Sequence, residues 1–189
     1  MAQKRKDWNG LISGFKASDL VFLDESGCNT DMTRRYAYSL GGSNAVDSAP
    51  LSKPKNTTIL SSIQLDGTLR YTTFSGGTTV ERFKRYLETD LLPHLNGNSV
   101  LIMDNMKLHH AKAVRNLLDS SEVRCIYLPP YSPDLNPIEK LWSKVKSFLR
   151  KFKARTLDAL LNAIQCAFQT VSPSDCSGWF HSCGYSPYF

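Results

Sequence analysis

The chain has 189 residues, enough for one well-buried domain with a short appendage, and 23 Lys and Arg against 17 Asp and Glu give it a net charge of +6. That excess, with a pI near 9.1, favours a polyanionic partner, and five cysteines with no CxxC pair fit neither a zinc ribbon nor a disulfide framework. No run approaches the ~18 apolar residues of a membrane span and the start, MAQKRKDWNGLISGF, has no apolar core; the expectation is a protein with reduced thiols in a cytosolic or nuclear setting, neither secreted nor membrane-bound.

Residues 1–18 read as a basic, partly flexible lead-in, and residues 19–189 as one domain. DLVFLDES (Asp19 to Ser26) is a short apolar run ending in an acid, a buried strand expected to deliver Asp24 at its tip. MTRRYAYS reads as a second strand, followed by a loop rich in Gly, Ser and Pro. TTILSSIQLDGTLRYTTF has strand-like residues on both sides of Asp66-Gly67, a hairpin signal. Behind a Thr cap, Val80, Phe83, Tyr86, Leu87 and Leu91 then fall at helical spacing. SVLIMDN ends a second apolar run in Asp104, HHAKAVRNLLDSS is a short helix, and VRCIYLPP is a strand. A helix from Pro137 to about Phe152, another from Thr156 to about Val171 and an aromatic-rich C-terminal cap complete the chain. Hairpin strands followed by alternating strands and helices indicate a mixed sheet carrying helices.

The segment LPPYSPDLNPIEKLW places four prolines between Pro129 and Pro137, which rules out a central strand or a helix interior and makes a rigid extended arm. Asn136 is suited to cap the helix that follows and Pro137 to begin it, putting Glu139 at the third helical position. Glu139 therefore has two readings. It completes a capping box with Asn136, or it is an acid that the arm holds in place. Asp24 and Asp104 are similarly open: each begins a turn, or each projects a carboxylate at the sheet edge, where α/β proteins put their sites.

If the three acids converge, each like-charged pair at about 4 Å costs roughly 4 kcal/mol at an effective dielectric near 20. Such a cluster calls for divalent cations or raised pKa values, and oxygen-only ligands suit Mg²⁺ or Mn²⁺. Two such ions about 3.5–4 Å apart serve phosphodiester chemistry without a protein nucleophile.

VFLDES, LIMDN…HH and LPPYSPDLNPIEKLWSKVK resemble the three catalytic blocks of the mariner superfamily of DDE transposases, especially the bacterial insertion-sequence branch. The 34 residues between Asp104 and Glu139 match the family's usual interval. The resemblance implies a ribonuclease H-like α/β fold, a mixed five-stranded sheet with helices on both faces. It assigns Asp24, Asp104 and Glu139 as catalytic and metal-binding residues for two Mg²⁺ or Mn²⁺ ions. It also implies cleavage at transposon ends and strand transfer into target DNA, double-stranded DNA as partner, and action as a homodimer on paired ends. The site of action would be a bacterial cytoplasm at the nucleoid, or a nucleus in a eukaryote. The family's N-terminal helix-turn-helix domain has no counterpart here, so the expectation is a fragment, a split-frame product or a truncated copy whose DNA-reading domain is separate or missing. Two rivals are a ribonuclease H-like structure-specific nuclease and a catalytically silent DNA-binding remnant.

Around the triad, the resemblance places at least one of His109 and His110 toward the site, against the alternative of solvent-facing polar residues. Trp142, three residues past Glu139, reads as core packing, with DNA stacking the lesser alternative. Lys140, Lys144 and Lys146, in the run that continues through Arg150, Lys151, Lys153 and Arg155, are candidate phosphate contacts or simply a solvated face. Arg34 and Arg35 are weaker candidates of the same kind, and Tyr131 is expected to anchor the arm.

Overall fold

Two apolar runs buried on both faces organise the chain. In this computed structural model, which describes residues 2–34, 36–48 and 54–185, the strands are β1 (Leu20–Cys28), β2 (Thr57–Gln64), β3 (Leu69–Ser75), β4 (Val100–Met103) and β5 (Arg124–Tyr127). They form one sheet in the order β3-β2-β1-β4-β5, with β1, β2 and β3 antiparallel and β1, β4 and β5 parallel. The described helices are α1 (Ala2–Ile12), α2 (Val80–Tyr86), α3 (Lys112–Ser120), α4 (Ile138–Phe152), α5 (Leu157–Gln169) and α6 (Pro173–Ser182).

Period-two alternation sorts the central strands between two cores. Leu20, Phe22, Val100 and Ile102 pack with Leu141, Trp142, Val145, Ile164 and Phe180 from α4, α5 and α6. Val21, Leu23, Leu101 and Met103 pack on the other face with Phe83 and Tyr86 of α2 and Val114 and Leu118 of α3. With both faces covered, these strands read as continuous apolar runs rather than as alternating ones. The expected mixed five-stranded sheet with helices on both faces is what the chain forms.

Local chemistry sets the helix starts. Thr79 caps α2 by accepting from the Arg82 amide, Thr156 caps α5 by accepting from the Ala159 amide, and Ser172 forms a capping box with Asp175 ahead of Pro173 in α6. In α4 the apolar residues Ile138, Leu141, Trp142, Val145 and Leu149 make a single buried stripe. At the hairpin, Gly67 has φ +91° and a Cβ there would lie 2.9 Å from Pro173 Cα, so both conformation and space demand glycine.

Two expectations are corrected. The lead-in contributes a helix, α1, whose Trp8 is buried and donates from Nε1 to the Tyr185 hydroxyl at 3.3 Å. MTRRYAYS is not a strand: among its described residues, 32–34 and 36–39, none is in a sheet, and Tyr36 and Tyr38 are exposed. Its alternation has no face to bury, because β2 already occupies the antiparallel edge of β1 from Val21 to Cys28. The chain on either side of it is tethered instead, with Arg155 Nη1 donating to Thr30 O at 3.0 Å and Lys153 Nζ pairing with Asp47 at 2.6 Å.

All five cysteines are free thiols, and no described helix is long and apolar enough to cross a membrane.

Candidate active site

Strand register brings the two aspartates together. Leu23 pairs with Met103, the last residue of β4, so Asp24 and Asp104 are the next residues on neighbouring parallel strands, whose spacing is about 4.8 Å. Asp24 is not at a strand tip as expected. β1 runs on to Cys28, held by β2 alone, and Asp24 sits where its parallel partner stops. That is still the carboxyl end of the parallel strands, where open α/β sheets place ligands.

Asp24 accepts from the Glu25 amide at 2.8 Å and from Trp142 Nε1 at 3.1 Å. Burial nevertheless pushes its carboxyl up to about 7, and the charges of Glu25 and Glu139 add to the rise against those two hydrogen bonds. Asp104 is more open, with its side chain 39% exposed, and its Oδ1 accepts from the Met106 amide at 3.1 Å.

Glu139 is exposed and does not cap its helix. Asn136 is extended, Pro137 is already helical, and the Asn136 carbonyl accepts from the Glu139 amide at 3.2 Å, but α4 has no side-chain cap. Asn136 Oδ1 has no hydrogen-bond partner although the residue is only 4% exposed. The capping box is therefore absent. The Glu139 side chain lines a cleft of about 430 Å³ with Asp24, Asp104, Asn136 and the proline arm from Leu128 to Pro133. The arm leaves β5 with the Leu128 amide donating to Met103 O at 2.8 Å, which seats it beside the end of β4.

Three carboxylates and an orphaned amide oxygen make this cleft rich in acceptors, the donor set of a hard cation such as Mg²⁺ or Mn²⁺. Among the described residues, no three His, Cys, Asp or Glu side chains close around a common point, so the acids line the cleft rather than enclose it. The residue types fit a divalent ion, and Asp24, Asp104 and Glu139 are the ones that would hold it.

His109 lies beneath the cleft, fully buried, so it meets no phosphate. Its Nδ1 stands 2.9 Å from Asp104 Oδ1, and its Nε2 stands 3.5 Å from Glu25 Oε1. Burial opposes its charge, but the Asp104 and Glu25 carboxylates prevail and push its pKa up to about 10. His110 turns away, against Tyr127 and Asn105. Glu25 went unremarked in the sequence because it follows Asp24 directly and looks like the polar end of a strand.

Of the lysines, Lys140, Lys144 and Lys151 line a groove of about 840 Å³ along α4 and α6, which shares Pro133 and Glu139 with the cleft. Lys146 lies elsewhere on α4, where its charge acts on the Cys28 thiol. Arg34 is exposed and lines neither space, while Arg35 lies outside the described residues. Tyr131 does not anchor the arm: it is 90% exposed at the cleft, with φ +55°. Trp142 is core, as expected, and also holds Asp24.

Residues 19–161, a span containing all three acids, match the family model of DDE superfamily endonucleases. The chain belongs to this family. This DDE endonuclease is 29% identical over 97 residues to the Tc1 transposase of Caenorhabditis elegans, covering 49% of this chain and 36% of that protein. It is 32% identical over 75 residues to the uncharacterized 39 kDa protein of insertion element IS630 of Shigella sonnei, covering 39% and 22%. The DDE endonuclease thus spans well under half the length of these relatives. A pre-cleavage Mos1 transpososome superposes with TM-score 0.81 at 18% identity, covering 96% of this chain and 58% of the Mos1 chain. The isolated catalytic domain of Mos1 mariner transposase superposes with TM-score 0.72 at 17% identity, covering 95% and 85%. The fold is the ribonuclease H-like fold of that domain.

Proposed function

We propose that this chain is the catalytic core of a cut-and-paste DNA transposase, which cleaves DNA at transposon ends and joins the freed end to target DNA. One observation carries the reading: adjacent strand register sets Asp24 beside Asp104, and the proline arm brings Glu139 into the same cleft. The family supports it, as do the Mos1 complexes, among them a strand transfer complex and paired end complexes with Mn and with Mg.

In the first step water attacks a phosphodiester at the transposon end, the P–O3′ bond breaks, and the leaving 3′ oxygen takes a proton. In the second, that 3′-hydroxyl attacks a target phosphorus, forming a new P–O3′ bond as the target's P–O3′ bond breaks. No protein nucleophile takes part. Two divalent ions held by Asp24, Asp104 and Glu139 would lower the pKa of the attacking hydroxyl and stabilise the leaving oxygen. Trp142 Nε1 orients Asp24, whose burial favours the protonated carboxyl, so a bound cation would have to displace that proton. Lys140, Lys144 and Lys151 offer phosphate contacts along the groove that opens from Glu139. Double-stranded DNA is the substrate, and a second copy of the chain on a paired end is the expected assembly.

The test supplies Mn²⁺, a pre-cut end bearing a free 3′-hydroxyl and supercoiled plasmid, and compares wild type with Glu139→Gln. Joined product that disappears in the variant supports the proposal. Nicking without joining makes the chain a hydrolytic nuclease, and a covalent protein–DNA adduct overturns the mechanism.

A further inference from the structure

On β1, Asp24 faces α4, so the next side chain, Glu25, emerges on the opposite face toward α2. The Glu25 side chain is only 10% exposed, and neither carboxylate oxygen has a hydrogen-bond partner. Among the described residues, the basic group paired with it is the His109 ring, with Nε2 at 3.5 Å from Oε1, close enough for charge attraction when protonated but not aligned as a hydrogen bond. The ring has little freedom. It stacks on Phe83 with centroids 4.6 Å apart, its own carbonyl accepts from the Tyr127 hydroxyl at 3.2 Å, and Nδ1 lies 3.1 Å from the Asp104 carbonyl oxygen.

The consequence falls on Asp104. With β4 ended, its side chain would otherwise turn freely in an open cleft. His109 Nδ1, hydrogen-bonded to the Asp104 carbonyl oxygen, stands 2.9 Å from Oδ1 as a charge contact, and the Met106 amide donates to Oδ1 at 3.1 Å, which leaves Oδ2 as the oxygen for whatever enters. Burying a carboxylate and an imidazole beneath α2 costs free energy that apolar residues of similar size would avoid. An aspartate that merely began a turn would gain nothing from it. An aspartate that must present one particular oxygen needs such a support.

We propose that Glu25 is a positioning residue that holds the His109 ring, and through it aims the Asp104 carboxylate into the cleft. This rests on the reading of Asp104 as a cation-binding acid.

The test is Mn²⁺ binding to the purified chain, followed by the paramagnetic resonance of free Mn²⁺, with a thermal melt of each variant to confirm folding. Glu25→Gln is expected to weaken binding roughly ten- to hundredfold, the usual loss when support behind a metal ligand is removed. His109→Asn keeps an amide donor near the Nδ1 position, so it should stay within about threefold of wild type and be indifferent to added Glu25→Gln. His109→Gln sets its donor near the Nε2 position instead and should lose roughly tenfold or more. Equal affinities for the Asn and Gln variants would overturn the proposal even if Glu25→Gln fails to fold, and so would wild-type affinity in Glu25→Gln. Asp104→Asn separates the two levels: if it binds Mn²⁺ like wild type, the cation site itself is wrong and the proposal falls with it. If Asp104→Asn loses binding while Glu25→Gln does not, only the role of Glu25 is refuted.

Discussion

Trp142 Nε1 donates to Asp24 Oδ2 at 3.1 Å, joining residues 118 positions apart. Trp142 follows Glu139 by one helical turn, so a single turn of α4 carries one acid and the donor that steadies another. Trp142→Phe keeps an aromatic ring in the core but removes the donor, and the charged form of Asp24 loses a favourable partner. The expected result is a small drop in melting temperature and an upward displacement, by roughly half to one pH unit, of the acidic limb of the joining rate. A rate profile that does not move would show that the bond serves packing alone.

Asp24 makes the cation-free protein sensitive to pH. Its carboxyl is raised from 3.8 to about 7, so the folded protein retains a proton that the unfolded chain has given up. The resulting stabilisation is complete below about 3.8 and is lost as pH rises through about 7. Asp24→Asn has no such loss. In EDTA at pH 8 it should be more stable than wild type by roughly 2 kcal/mol, after allowance for solvent at the cleft mouth, and the advantage should vanish near pH 4. Added Mn²⁺ should raise the wild-type melting temperature and leave the variant's almost unchanged. A variant that melts below wild type at pH 8 would contradict the burial of that charge.

His109 gives a second step in a higher window. Its folded pKa is raised from 6.5 to about 10, so its contribution is complete below about 6.5 and is lost as pH rises through about 10. Melting curves of wild type should therefore fall across both windows, while His109→Asn keeps the first decline and lacks the second. A single decline in wild type ending by pH 7 would place His109 outside the pair of carboxylates.

Lys140 and Lys151 line the groove that begins at Glu139, and Lys146 does not. Lys140→Gln and Lys151→Gln should each weaken DNA binding without regard to sequence and reduce the slope of log K against log salt by about 0.9. Lys146→Gln should leave the slope unchanged. Lys144, paired with Asp175 at 2.7 Å, should show a smaller effect because it must first leave that partner. Equal slopes in all four variants would remove the groove from the interface.

Tyr131 holds a left-handed backbone conformation while its ring stands in solvent, a combination that costs the fold something and returns no packing. Tyr131→Gly should raise the melting temperature, by roughly 1 kcal/mol in stability, and slow joining, since the cleft loses its exposed aromatic. A destabilised variant would mean that the ring packs against the protein after all.

The acids were legible in the sequence because each strand buries both faces and then stops being apolar at a carboxylate, and because prolines leave the arm so few conformations. The hairpin was legible through Asp66-Gly67, whose glycine the structure requires twice over. What failed had a common physical origin: local patterns do not state what lies alongside. MTRRYAYS alternates like a strand, but the edge of β1, the strand it follows, is already taken by β2. Asn136 and Glu139 have capping-box spacing, yet Asn136 is drawn inward and Glu139 faces the cleft. Nothing local marks Glu25 either, since its importance depends on a histidine 84 positions further on whose ring turns back beneath the sheet.

The strand order β3-β2-β1-β4-β5 also has a consequence for synthesis. Asp24 leaves the ribosome early, but its parallel neighbour β4 follows only after the hairpin and α2, and Glu139 later still. Contacts so distant along the chain form late in folding. A nascent polypeptide therefore carries its acids apart until α4 has docked on the sheet, and the cleft that gathers them arises together with the completed fold.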